Sequence, residues 1–96
     1  MLSMIEMCIA HRLLLSFVYD GLPRVVEPHL VGYSTTGKQL LRAYQVDGQS
    51  ESGKIPDWRL FEVGKMRSPG YQSTYFTPRP EYKPEDKQIP RVIARV

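Results

Sequence analysis

The hydrophobic pattern of the chain changes period once, near residue 14. Before it, Ile5, Cys8, Ile9 and Leu13 recur at helical spacing. Ser3-Met4-Ile5-Glu6 has the form of a capping box, with Leu2 and Met7 placed as a hydrophobic staple. His11 and Arg12 stand near the far end, where cations suit the helix dipole. A helix is therefore expected over residues 1–13. From Leu14 the period becomes two: Leu15, Phe17 and Tyr19 alternate with Ser16 and Val18. Asp20-Gly21-Leu22-Pro23 turns the chain into a second strand from Arg24 to about Tyr33, and Pro28 inside it implies an edge or a bulge. Ser34-Thr35-Thr36-Gly37 leads to a third strand, Gln39 to Val46. Asp47 to Pro56 reads as a polar loop and Trp58 to Val63 as a fourth strand.

After Met66 the periodicity fades. Five of the eight prolines fall in residues 67–90, together with Tyr71, Tyr75, Phe76 and Tyr82. An extended, irregular, Pro-rich arm packed on the strands is expected there. Arg91 to Val96 alternates again and predicts a last strand. The expected fold is mostly β (α+β), in one domain over residues 1–96. A helix at 1–13 precedes strands over 14–66 that close into a small antiparallel barrel, followed by the arm at 67–90 and a strand at 91–96.

Composition narrows the class. At 96 residues there is room for one core, and a hydrophobic share of 42% argues against disorder. The single cysteine, Cys8, cannot form an internal disulfide, no apolar run reaches membrane-spanning length, and no basic segment precedes the N-terminal apolar stretch. A cytoplasmic, non-membrane protein is the expectation. Residues 1–64 hold six Lys/Arg and seven Asp/Glu, whereas residues 65–96 hold seven and three. The net charge of +3 thus resides in the last third, where it serves either to steer an anionic partner or simply to solvate the surface.

Chemistry is sparse. Gly48-Gln49-Ser50-Glu51-Ser52-Gly53-Lys54 follows a strand and matches most of a phosphate loop, but Ile55 stands where a Mg²⁺-binding hydroxyl belongs and no helix follows. His11 and His29 share no recognisable spacing with a nucleophile and a carboxylate, and Cys8 with His11 is too small a set for zinc. The expectation is a non-enzymatic chain without metal or other cofactor.

Two stretches carry a resemblance. Phe17-Val18-Tyr19, a turn, and then Arg24-Val25-Val26-Glu27-Pro28 is similar to the opening of WYL domains. Gln39 to Tyr44 occupies the segment that names that family, and Arg59-Leu60-Phe61-Glu62-Val63 resembles its Arg-x-Phe-Arg-Leu strand, with Lys65 and Met66 following. Roughly Ile5 to Met66 is covered. The naming Trp-Tyr-Leu is Gln39-Leu40-Leu41 here and the second Arg of the later strand is Glu62; a stand-alone domain without a helix-turn-helix is the expectation. The resemblance implies an Sm-like barrel that senses a negatively charged ligand, single-stranded nucleic acid or a nucleotide, in bacterial or phage transcription regulation. The matching residues are Tyr19, Arg24 and Arg59, with Lys38, Arg42 and Lys65 as neighbours. Arg supplies a planar fork for phosphate and Tyr a face for a base; alternatively Arg24 and Arg59 pair with Glu27, Asp57 or Glu62, and Tyr19 is core. The rival expectation is a protein-interaction or homo-oligomerisation module that uses Tyr71, Tyr75, Phe76 and Tyr82 of the arm.

Since Ile55 offers no hydroxyl to Mg²⁺, ATP and GTP should stay intact over hours with the purified protein. Lys54→Ala should shift its stability by no more than about 0.5 kcal/mol. Turnover that disappears in that variant would show a working phosphate loop.

Overall fold

The computed structural model describes residues 1–96 and contains one helix, α1 (Leu2–His11), and six strands. The strands are β1 (Leu13–Tyr19), β2 (Leu22–Tyr33), β3 (Gln39–Gly48), β4 (Asp57–Glu62), β5 (Arg67–Tyr75) and β6 (Arg91–Arg95). All pair antiparallel, in the order β4-β3-β2-β1-β5, with β6 also on β2. The protein is mostly β, with α1 packed on one face of the sheet.

β2 organises this sheet. One of its edges pairs with β3 from Arg24 to Tyr33; the other is shared by β1 (Leu22 to Val26) and β6 (Leu30 to Tyr33). Pro28, which has no N–H to donate, sits in the gap between the two partners. On the β3 side the register slips between Pro28 and Leu30, leaving His29 as a bulge. Because β6 takes the length of β2 that β1 leaves, the sheet forks instead of continuing round. β4 and β5 remain its unjoined ends, so the strands do not close into a barrel. Gly32 permits the fork: a Cβ there would lie 2.2 Å from the Arg91 carbonyl oxygen and 2.6 Å from Ile89 Cγ2.

The core lies between α1 and the sheet. Ile5, Cys8 and Ile9 of the helix pack with Leu15, Phe17, Val26, Val31, Leu41 and Phe61. Each large aliphatic or aromatic side chain so removed from water contributes about 2 kcal/mol. The helix is shorter than the sequence suggests. It starts at Leu2 with Met1 as N-cap, so Ser3 lies inside the first turn and makes no capping bond. It ends at His11 because Arg12 turns left-handed (φ 58°) and its amide bonds back to the Cys8 and Ile9 carbonyls. The Arg12 carbonyl then accepts the Phe76 amide at 2.8 Å, which brings the later chain back to the helix end.

Residues 67–75, expected as irregular chain, are strand β5 along the free edge of β1. Two register irregularities and the left-handed Ser68 (φ 53°) had hidden its alternation. Residues 76–90 form no strand or helix, and they lie across the face of the sheet opposite α1. They are held by a clamp on β2. The Arg79 amide can only donate, so His29 Nε2 accepts it (3.1 Å), and the proton must sit on Nδ1, which donates to the Glu27 carbonyl at 2.8 Å. Arg79 Nε and Nη2 meet the two Glu27 carboxylate oxygens at 2.8 and 3.1 Å, with the guanidinium 4.1 Å from the Tyr44 ring centre. Phe76 and Ile89 are buried on either side of this clamp in sequence.

Burial holds His29 below the ordinary histidine value; its bond to the Glu27 carbonyl and the Glu27 charge oppose this, and Arg79 reinforces it. The unfolded chain takes up that proton near pH 6.5, whereas the folded protein resists it to lower pH. Stability should therefore be complete above about pH 6.5 and decline as pH falls from there towards the depressed folded value. Urea midpoints measured across about pH 7.5 to 5 should show the decline, and His29→Gln should flatten it. An equal slope in both proteins would contradict a neutral buried His29.

Candidate functional site

The core face of the sheet ends in a cleft. Strand alternation puts Tyr19 of β1, Arg24 of β2 and Arg59 of β4 on the same face as Phe17 and Phe61, and the 49–56 loop forms the far wall. The cleft holds about 210 Å³ and is open to solvent. Ser50, Ser52 and the acidic side chains of Asp20 and Glu51 also reach it. Its floor is aromatic: the Phe61 ring lies 4.9 Å from Phe17 and 5.0 Å from Tyr19, both edge-to-face.

Arg24 is the unusual member. Its residue is only 5% exposed, and no carboxylate lies within ion-pair distance of it. Nη1 donates to Gln45 Oε1 at 3.3 Å and Nη2 to the Tyr19 carbonyl at 3.2 Å, while the buried Nε has no partner. The guanidinium stands 5.7 Å from the centres of both the Tyr19 and Phe61 rings. Burial, first, holds it below the ordinary arginine value; Asp20 pulls up and Arg59 pushes down. It nonetheless stays a cation at neutral pH, since that ordinary value is so high. A buried charge with only neutral, long hydrogen bonds is an expensive arrangement.

Arg59 is better solvated. Its Nη1 is 3.4 Å from Asp57 Oδ2, and its Nη2 donates to Ser50 Oγ (3.0 Å), Ser52 Oγ (3.2 Å) and the Lys54 carbonyl. The segment that imitates a phosphate loop is thus curled around a cation, with its oxygens inward. Gln45 holds the base of this loop, donating to the Asp47 and Gln49 carbonyls at 3.2 and 2.9 Å. Gly48 (φ 92°) is needed there, because a Cβ would lie 2.3 Å from the Pro23 carbonyl oxygen. Arg59 Nε, like that of Arg24, is buried without a partner.

The structure brings Tyr19, Arg24 and Arg59 together and leaves the other three candidates elsewhere. Lys38 is in the turn before β3, at the end of the β3–β4 pair away from the loop, and pairs with Glu62 at 3.4 Å. The Glu62 side chain is accordingly not in the cleft, so its sign does not bear on the site. Arg42 points to the opposite face and is spent on Asp86 (2.8 Å) and Gln88 (2.6 Å). Burial acts to raise the Asp86 carboxyl, but the Arg42 hydrogen bond and the Gln88 amide outweigh it and hold the group below its usual range. Lys65 is exposed in a 3-10 turn, Val63–Lys65, outside the cleft. The Tyr19 hydroxyl accepts the Glu62 amide at 3.0 Å, which fixes the ring. Sequence reasoning missed Gln45 and Phe61. A Gln at a core-facing strand position was the available signal for the first.

Cys8 is buried in the core and no group of three or more His, Cys, Asp or Glu side chains is placed to hold a metal ion. No helix is long and apolar enough to cross a membrane. No family model, no curated protein and no solved structure matches the chain.

A buried guanidinium without a carboxylate should be replaceable by an apolar side chain of similar length without loss. Arg24→Met should leave folding stability unchanged or raise it by up to about 2 kcal/mol, measured by urea denaturation. A loss beyond about 2 kcal/mol would make Arg24 a structural residue.

Proposed function

We propose that this protein is a non-enzymatic binding module for a negatively charged ligand, a single-stranded nucleic acid or a nucleotide, and that the cleft at Arg24 and Arg59 is where it binds. The observation that carries this reading is Arg24, a cation held nearly out of water with no carboxylate within ion-pair distance, beside a second cation in a cleft that opens to solvent. An oxyanion there gains charge-assisted bonds from both forks, and the Ser50 and Ser52 hydroxyls can turn to it. The Arg59–loop bonds keep that guanidinium solvated until a ligand arrives. At about 210 Å³ the cleft is smaller than the roughly 300 Å³ of a small-molecule pocket, so it suits one phosphate of a larger ligand whose remainder lies outside. Asp20 and Glu51 at the walls limit affinity for free anions and favour a ligand that makes further contacts.

The resemblance to WYL domains points the same way, because Tyr19, Arg24 and Arg59 are the residues that carry it. We read the chain as a WYL-like regulatory sensor of the cytoplasm on a forked, open variant of a small Sm-like sheet. A second reading, a self-associating or partner-binding module, is favoured by one observation: Tyr71 and Tyr75 on edge strand β5 are 57% and 73% exposed. Phe76 is buried and takes no part in it.

Fluorescent oligonucleotides and a nucleotide panel, titrated at two salt concentrations, should bind with log affinity falling by about 0.7 per log unit of salt for each phosphate engaged. Arg24→Ala and Arg59→Ala should each weaken binding by about 1–3 kcal/mol. Salt-independent self-association lost on Tyr75→Ser, with no ligand bound at low salt, would establish the second reading instead.

A further inference from the structure

We infer that the ligand is a single-stranded oligonucleotide that crosses the free edge of β4, with a phosphate at Arg24 and Arg59 on one face of the sheet and a base against Trp58 on the other. This deepens the proposed function and rests on it.

β4 is an outermost strand, so its outer edge has no neighbour. Successive side chains on a strand point to opposite faces. Arg59, opposite Ala43, faces the cleft, while Trp58, opposite Tyr44, faces away from it. The molecule has two depressions, and each reaches β4 from one side. The second is a groove of about 300 Å³ between Trp58, Arg42 and the 81–87 segment. A chain that leaves the cleft over the β4 edge therefore arrives in this groove.

The groove is built for a different part of the ligand. The Trp58 and Tyr82 rings lie 29° from parallel with centres 6.3 Å apart. Trp58 is fixed from behind by edge contacts to His29 (4.8 Å) and Tyr44 (5.3 Å), and its Nε1 already donates to Glu81 Oε2 at 3.3 Å. What remains to offer is ring surface, which suits stacking rather than hydrogen-bonded readout. The charges here are balanced, with Glu81, Glu85 and Asp86 against Arg42, Lys83 and Lys87. Arg42 is moreover committed to Asp86. A bare anion gains little in such a groove, whereas a neutral base stacks without needing charge. The two faces thus divide a nucleotide chain between them, charge on one side and aromatic surface on the other. A sheet is about 10 Å thick with its side chains, more than one nucleotide can straddle.

Trp58 is the sole tryptophan of the chain, so emission excited beyond the absorption of its six tyrosines reports the groove alone. Thymidine monophosphate and oligothymidylates of about two to eight residues would be titrated at low salt, following Trp58 emission and its quenching by acrylamide. Chains of about four residues and longer should quench the emission, protect Trp58 from acrylamide and bind at least about tenfold tighter than the mononucleotide, which should leave Trp58 unchanged. Tyr82→Leu should weaken the longer chains several-fold without affecting the mononucleotide, and Arg24→Ala should weaken both. If that Tyr82 variant does not fold, the wild-type length dependence and acrylamide protection decide alone. Oligonucleotides that bind through Arg24 with unaltered Trp58 and no gain with length would overturn the crossing and leave the cleft in place. So would a mononucleotide that quenches Trp58 as strongly as the longer chains do. No binding at any length would remove the cleft reading itself.

Discussion

The structure depends on a strand that must satisfy three partners with one backbone. β2 gives one edge entirely to β3 and divides the other between β1 and β6. Such a division is workable only where the backbone has little to donate, and Pro28 supplies that point. The bulge beside it carries His29 out of the ladder, and His29 in turn uses both ring nitrogens, one for the Glu27 carbonyl and one for the Arg79 amide. A proline at mid-strand thus leads by short steps to the placement of the 76–90 segment. The same segment walls the groove beside Trp58, so the geometry of one candidate surface descends from a single missing N–H.

The two faces of the sheet are put to different uses. The α1 side buries an apolar core that tapers into Phe17, Phe61 and Tyr19, and the cleft begins where aliphatic side chains give way to these rings. Low polarity around Arg24 follows from that position. It makes the guanidinium costly for the folded protein and strong toward an incoming anion, because both effects come from weak screening. The opposite face is covered by coil instead of a helix, and most of its polar groups are satisfied in pairs, Arg79 with Glu27, Arg42 with Asp86 and Trp58 with Glu81, while the buried Tyr82 hydroxyl has no partner.

Much of this was legible in the sequence for physical reasons that can be named. Period-two alternation located β1, β3 and β4 within a few residues, whereas β2, buried on both faces from Val26 to Gly32, was bounded by its flanking turns. The break at Pro28 was legible because proline chemistry is local. β5 was not, since it lies on a sheet edge with nearly every side chain in water and its register broken by bulges. The capping box failed because its residues lie one step inside the helix, a matter of where the chain enters and not of residue type. Closure into a barrel was wrongly expected because it depends on which strand takes the free half of β2, and no local pattern encodes that. Within the cleft, Tyr19, Arg24 and Arg59 were expected from the resemblance to WYL domains, and strand alternation adds only that each shares a face with core residues. Lys38 and Lys65 lie outside the strands, where alternation says nothing, and Arg42 falls on the face opposite to that of Leu41 and Ala43.

The central claim is that Arg24 and Arg59 together hold an oxyanion. Their Nε–H groups are both buried and free of protein acceptors, so each should give a slowly exchanging resonance in a nitrogen-edited NMR spectrum tuned to arginine side chains. Titration with a short oligothymidylate should move these two resonances first and furthest, with the Ser50 and Ser52 amides following. The Nε signals of Arg42 and Arg79, which are tied to carboxylates on the other face, should shift less. Undisturbed Arg24 and Arg59 signals, with shifts confined to exposed lysines or to β5, would contradict the account.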